Sequence, residues 1–167
     1  MTKGFMRMLH KRRRQQKTDY KKRLALLKSG KTRLVIRKSL ENIKVQLIGF
    51  STGGDKTSAS AVSAELGKLG WKSGNGNLPA AYLTGLLAGT RAKKAGIGEA
   101  VFDLGLQTST KGSRIYASLK GVVDAGLAVP HSEDILPDAG RISGKHIQSR
   151  KGIEKEFAEM KEKILKG

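Results

Sequence analysis

The sequence predicts an α/β protein, a mixed sheet covered by helices, with a basic N-terminal extension and a helical C-terminal extension. Three observations predict it. RLVIRK and IKVQL both have strand character and lie a four-residue turn apart, which makes an antiparallel hairpin. LPAAYLTGLLAGTRAKK has the length and spacing of a crossover helix and is followed by the apolar run EAVFDLGL, so a strand, a helix and a further strand form a parallel, right-handed unit. Charge is split along the chain: residues 1–45 hold 16 Lys or Arg against 2 acids, residues 46–142 hold 10 against 8, and residues 143–167 hold 7 against 4.

Residues 1–17 have few apolar positions and no period, so they are expected to be disordered alone and to order against a partner. A helix over residues 19–29 follows, with Thr18 as its N-cap, Asp19 in its first turn, Tyr20, Leu24 and Leu27 at helical spacing, and Gly30 beyond its end. Leu34 and Ile36 mark the first strand. Ile43, Val45 and Leu47 alternate with Lys44, Gln46 and Ile48 in the second, and residues 39–42 make the turn. STGGDK is a second turn, and TSASAV a third strand whose small side chains let a helix lie close.

GWKSGNGN is a Gly-rich loop before the crossover helix, which has Pro79 near its start and Gly96 past its end. Gly85 and Gly89 each cost that helix about 1 kcal/mol relative to Ala, a cost that a flat face for close packing would offset. EAVFDLGL is a buried strand. TKGSRIYASLKGVVDAG is another helix, with Ile115, Leu119, Val122 and Val123 on one face and Gly126 past its end. After a long loop, Ile153, Phe157, Met160 and Ile164 give the last segment an amphipathic helical stripe. The expected division is a basic tail (1–17), an α/β domain (18–130) and a C-terminal extension (131–167).

A chain of 167 residues, 38% of them hydrophobic, can bury one core of ordinary size. Its formal net charge of +19 is self-repelling unless a polyanion neutralises it in use. No run of 18 or more apolar residues is present and the first residues have no apolar signal core, so a soluble, intracellular protein without a membrane partner is expected. The absence of cysteine excludes disulfides, thiolate zinc sites and cysteine nucleophiles.

KRRRQQKTDYKKR has the make-up of an arginine-rich segment that folds on RNA: guanidinium groups match phosphates, and Tyr20 can stack on an unpaired base. Lys11, Arg12, Arg13, Arg14, Lys17, Lys21 and Arg23 are its cationic candidates. In the helix that follows, Lys21, Lys22 and Arg23 stand in a row rather than on one clean face opposite bulky apolar residues, which argues against a membrane surface. GFSTGGDKT fails as a phosphate loop because Asp55 separates Gly54 from Lys56, and GNGNLP has Pro79 where a dinucleotide fingerprint needs glycine. TSTKGSR, with Lys111 and Arg114, opens a helix where a phosphate could sit or Ser113 could simply cap. His10, His131 and His146 are scattered, and Asp103 stands alone on its strand, so neither a metal site nor a two-metal nuclease is expected.

Taken in order, RRRQQKTDYKKRLALLKSGKTRLVIRKS, GWKSGNGNLPAAYLTGLLAGTRAKKAGI, TSTKGSRIYASLKGVVDAGL and PHSEDILP resemble the archaeal and eukaryotic branch of the large-subunit ribosomal protein family numbered eighteen. The resemblance implies a non-catalytic protein with a ribonuclease-H-like fold and no cofactor, working in cytoplasmic ribosomes. It would bind 5S rRNA together with the neighbouring protein numbered five and attach it to 23S rRNA in the central protuberance. By position, it implies RNA contacts for Arg12, Arg13, Arg14, Lys17, Tyr20, Arg33, Arg37 and Lys38, and further ones for Lys56, Lys72, Asn77, Lys111 and Arg114. The turn Ser39-Leu40-Glu41-Asn42 departs from the family's basic turn, leaving Asn42 as its one candidate. The rival readings are a non-specific nucleic-acid-compacting protein and a metal-dependent nuclease of similar fold.

Overall fold

The computed structural model describes residues 8–147 and 152–166. A single helical turn, α1 (Lys11–Arg14), precedes α2 (Tyr20–Lys28). Then come β1 (Arg33–Lys38), β2 (Ile43–Ser51) and β3 (Gly54–Val62), a short α3 (Leu66–Leu69), the long α4 (Leu78–Lys94), β4 (Val101–Asp103), α5 (Arg114–Asp124), a short α6 (Ala139–Ser143) and α7 (Ile153–Lys166). The four strands form one sheet in the order β3-β2-β1-β4. β1–β2 and β2–β3 are antiparallel, while β1 and β4 run parallel with Arg33 opposite Val101 and Val35 opposite Asp103. The expected mixed sheet covered by helices is therefore present.

Each hairpin is closed by its turn chemistry. Ser39 Oγ accepts the Asn42 N–H at 2.9 Å and the Ser39 N–H donates to the Asn42 carbonyl at 2.8 Å, while Gly54 takes φ +131° between β2 and β3. The β2–β3 register slips between Leu47 and Ile48, so Leu47 opposes Ala59 and Ile48 opposes Thr57, a bulge that leaves Ser58 unpaired.

Strand alternation sends Leu34, Ile36, Ile43, Val45, Leu47, Ala59 and Ala61 to one face, all buried beneath α4 and α5. The small residues of β3 do admit a helix, since α4 lies against that strand. The small-residue face expected on α4 is also real. A Cβ at Gly85 would collide with the Ser118 carbonyl oxygen of α5, and one at Gly121 with the Tyr82 carbonyl of α4. The two backbones touch because neither position carries a side chain. The apolar stripe of α7 docks on α4, where Phe157 meets the Tyr82 ring with centroids 5.5 Å apart, and Glu156 fixes the helix further by accepting from the Lys72 N–H and from Ser73 Oγ. Ile153, Phe157, Met160 and Ile164 thereby join the same core as the sheet.

Three local expectations change, and one segment that the sequence left unassigned takes a defined shape. The α2 cap is Asp19, not Thr18: Asp19 Oδ1 accepts the Lys21 and Lys22 N–H groups at 3.0 and 3.1 Å. Within the tail expected to be without order, residues 11–14 form a helical turn, and residues 1–7 lie outside the described residues. β4 pairs over only three residues of EAVFDLGL. The segment after β3 folds into a 3-10 turn and α3, closed by the Trp71 N–H on the Leu66 carbonyl at 3.0 Å.

Candidate nucleic-acid interface

The second face of the sheet differs chemically from the first. It presents Arg33, Val35 and Arg37 from β1, Lys44, Gln46, Ile48 and Phe50 from β2, Asp55 and Thr57 from β3, and Asp103 from β4. No side chain of α2 is buried, yet the helix stands against this face, held by Arg23 Nη2 on Asp55 Oδ2 at 2.7 Å. The same oxygen accepts from Arg33 Nη2 at 2.8 Å. Arg33 also reaches Asp103 Oδ2 at 3.3 Å, and Asp103 Oδ1 takes Arg37 Nη2 at 3.1 Å and the Gly105 N–H at 2.9 Å.

Asp103 is thus not alone, as its sequence context implied, but the acceptor at the centre of an arginine network, with 7% of its surface exposed. Its carboxylate is committed to guanidinium groups. No group of three His, Cys, Asp or Glu side chains able to hold a metal occurs among the described residues.

The leading segment folds back onto α2. Arg12 Nε donates to Thr18 Oγ1 at 2.8 Å, and the His10 and Tyr20 rings lie 5.1 Å apart. Tyr20 therefore already has an aromatic neighbour. Around this bracket Lys11, Arg13, Arg14, Lys17, Lys21 and Lys22 are exposed and have no ion-pair partner among the described residues. One acid, Asp19, lies among them, and its carboxylate caps the helix.

The remaining sequence candidates fall elsewhere. Arg33 is buried in the arginine network, and Arg37, partly exposed, also donates to the Asp103 carbonyl at 2.7 Å. A second group gathers where β1 ends. Arg114 Nη1 bridges the Gly76 carbonyl at 2.8 Å and the Leu40 carbonyl at 3.2 Å, tying the β1–β2 turn to the Gly-rich loop. Beside it, Asn77 Oδ1 caps α4 by accepting the Ala80 N–H at 2.8 Å, and Asn42 Oδ1 accepts from Ser63 Oγ at 3.2 Å. Lys38 and Lys111 are exposed, Lys72 is held through its N–H by Glu156, and Lys56 is exposed on β3, next to Asp55. Ser113 stands at the N-cap position of α5, but its buried Oγ has no partner among the described residues. Asp55 and Gln46 are not among the sequence candidates: Asp55 serves there only to break a phosphate-loop pattern, and its partners Arg23 and Arg33 lie 32 and 22 positions earlier in the chain.

These features define a class: an α/β body with a coherent, unneutralised cationic flank, the electrostatic footprint of a nucleic-acid-binding protein. A family model described as "Ribosomal large subunit proteins 60S L5, and 50S L18" matches residues 6–99 and 92–132. The chain belongs to this family of large-subunit ribosomal proteins, which are structural proteins of the ribosome and not enzymes. It is 60% identical over 146 residues, 87% of the chain and 75% of the relative, to the large ribosomal subunit protein uL18 of Korarchaeum cryptofilum. The proteins of the same name from Natronomonas pharaonis and Haloarcula marismortui are 56% and 53% identical over 137 residues, 82% of this chain and 74% and 73% of theirs. Membership carries the cytoplasmic, ribosomal location expected from the sequence. Among the described residues no helix is long and apolar enough to cross a membrane.

Proposed function

We propose that the chain binds 5S rRNA and attaches it to 23S rRNA in the central protuberance, beside the neighbouring large-subunit protein numbered five. The observation that carries this is the unpaired cationic set on α1, α2 and their link, against a body that is close to neutral from residue 46 to residue 142. Phosphates supply the missing counter-charge. Lys11, Arg12, Arg13, Arg14, Lys17 and Lys21 are the capturing residues, with Arg23 at their edge, its guanidinium shared with Asp55, and Lys38, Asn42, Asn77, Lys111 and Arg114 offer a second contact at the other end of the sheet, with Lys56 and Lys72 on its flanks. The ribonuclease-H-like reading of the body is part of the proposal and is supported by the order β3-β2-β1-β4 with its parallel β1–β4 pair. So is the division of labour, in which residues 1–17 are the basic RNA-binding tail, residues 18–130 form the α/β platform that carries the remaining contacts, and residues 131–167 brace it through α7.

The test is competition at fixed salt. Unlabelled 5S rRNA should displace labelled 5S rRNA far better than duplex DNA or an unrelated RNA of equal length; equal displacement would instead make the protein a general nucleic-acid compactor. Replacing Arg12, Arg13 and Arg14 together by Gln should reduce the slope of log affinity against log salt by about 2 to 3, each lost phosphate contact being worth roughly 0.7 to 0.9.

A further inference from the structure

Between α2 and the outer face of the sheet lies a cavity of about 680 Å³. Its floor is Val35 and Ile48 of the sheet, its apolar walls Leu26 and Leu104, and its mouth carries Arg12, Lys17 and Lys22. That volume lies within the ordinary range for small-molecule sites, roughly 300 to 1,000 Å³. Two polar groups give the interior a chemical direction. Gln46, half-buried, has an amide that can donate and accept at once, and Arg33 lines the same space with its side chain 5% exposed. The Arg33 Nη atoms are taken by Asp55 and Asp103, but its buried Nε has no hydrogen-bond partner among the described residues. A buried N–H without an acceptor is costly, on the order of 1 to 3 kcal/mol, and it favours an occupant that brings an acceptor.

We propose that this cavity receives one unpaired nucleotide of the bound RNA, its base lying between α2 and the sheet and its phosphates at the cationic mouth. The inference rests on the RNA-binding function proposed above and names a subsite within it. A flat aromatic heterocycle matches the apolar floor and wall, base edges carry the acceptors that Arg33 Nε lacks, and Gln46 can pair with a donor and an acceptor on one base edge. The flanking phosphates match Arg12, Lys17 and Lys22. A peptide fits less well, because the acids that line the cavity, Asp19 and Asp103, are occupied by the α2 cap and by arginines, leaving the mouth cationic. The weak docking of α2, which buries no side chain, lets the base enter without opening the core.

The experiment uses the full chain with intact 5S rRNA and two variants: Ala25→Phe, which fills the cavity from α2, and Gln46→Ala, which removes the amide. Gln46→Ala, which leaves the nucleotide room to enter, should lower affinity by about 5- to 150-fold, as for losing one bidentate base contact, with the salt slope unchanged; Ala25→Phe, which keeps out the base and its flanking phosphates, should lower it at least as far, with a slope smaller by no more than about 2. Ultraviolet crosslinking of the wild-type complex should place a nucleotide adduct within residues 25–48 or 101–106, and Ala25→Phe should abolish it. Unchanged affinity in both variants, an adduct on a co-purifying peptide instead of RNA, or equal adduct yield from free nucleoside monophosphates would overturn the subsite. A shallower salt slope in Gln46→Ala would also overturn it, since that variant removes a base contact and no phosphate contact. Failure of the wild-type chain to bind 5S rRNA would overturn the proposed function, and the subsite with it.

Discussion

Arg23 of α2 reaches Asp55 in the β2–β3 hairpin at 2.7 Å, and this ion pair ties a helix without a buried side chain to the sheet. The pair is partly exposed, and the same Asp55 oxygen also serves Arg33, which is buried. Docking of α2 is therefore polar and local, while the core holds the rest.

Asp55→Ala should release α2 without unfolding the body. Hydrogen exchange across residues 20–28 is expected to accelerate while α4 stays protected, and chemical denaturation should show a loss of about 1 to 3 kcal/mol, as for losing a charge-assisted hydrogen bond at the buried Arg33. Equal acceleration in α4 would mean that the ion pair supports the whole fold.

Asp103→Asn should lower stability without changing any RNA cleavage. The substitution leaves Arg33 and Arg37 facing a neutral amide in a buried setting, so a cost of about 3 kcal/mol is expected in urea unfolding. RNA incubated with magnesium and either protein should remain intact. Cleavage by the wild-type chain that this variant lacks would contradict a structural role.

Gly85→Ala should be among the most damaging single-methyl changes in the chain. The added carbon meets a backbone carbonyl of α5, which cannot rotate away, so α4 and α5 must separate. A loss of about 3 kcal/mol, read as a fall in Tm of roughly 6 to 12 °C, follows from the usual cost of overpacking and the Tm scaling for a chain of this size.

Glu65 carries a pH signature. Partial burial opposes its charge, but the Arg91 guanidinium 2.7 Å away and the Val62 N–H at 2.9 Å outweigh burial and hold the carboxyl below its ordinary value. A lowered folded-state pKa means that stability from Glu65 is complete above the ordinary carboxylate range and is lost as pH falls through the lowered value. Glu65→Gln should therefore cost about 0.5 kcal/mol at neutral pH, in line with a solvent-screened pair. In acid, where wild-type Glu65 is protonated, urea midpoints of the two proteins should converge.

Much of this fold was legible because its signals are local. Alternation in residues 43–48, Pro79 and Gly96 bracketing α4, and the 153/157/160/164 stripe each fix an element through its own period. What local pattern could not show was pairing across the sheet. Asp103 looked solitary because Arg33 and Arg37 lie about 70 positions earlier, and only the parallel register of β1 with β4 brings them together. Thr18 looked like a cap because it precedes an acid, but Asp19 itself takes the cap and Thr18 is drawn off by Arg12. In the interface, the basic block was plain from composition, while Gln46 and Asp55 acquire meaning only once β2 and β3 lie under α2.

The docking of α7 on α4 has a temporal side. A nascent chain exposes α4 well before the residues that cover its flank are made, so the apolar strip awaiting Phe157 and Met160 stays open to solvent or chaperones during synthesis. The cationic arm and hairpins emerge earlier still. Emergence of the cationic arm and completion of the interior are thus separable events, and the second sets when the newborn protein stops being sticky.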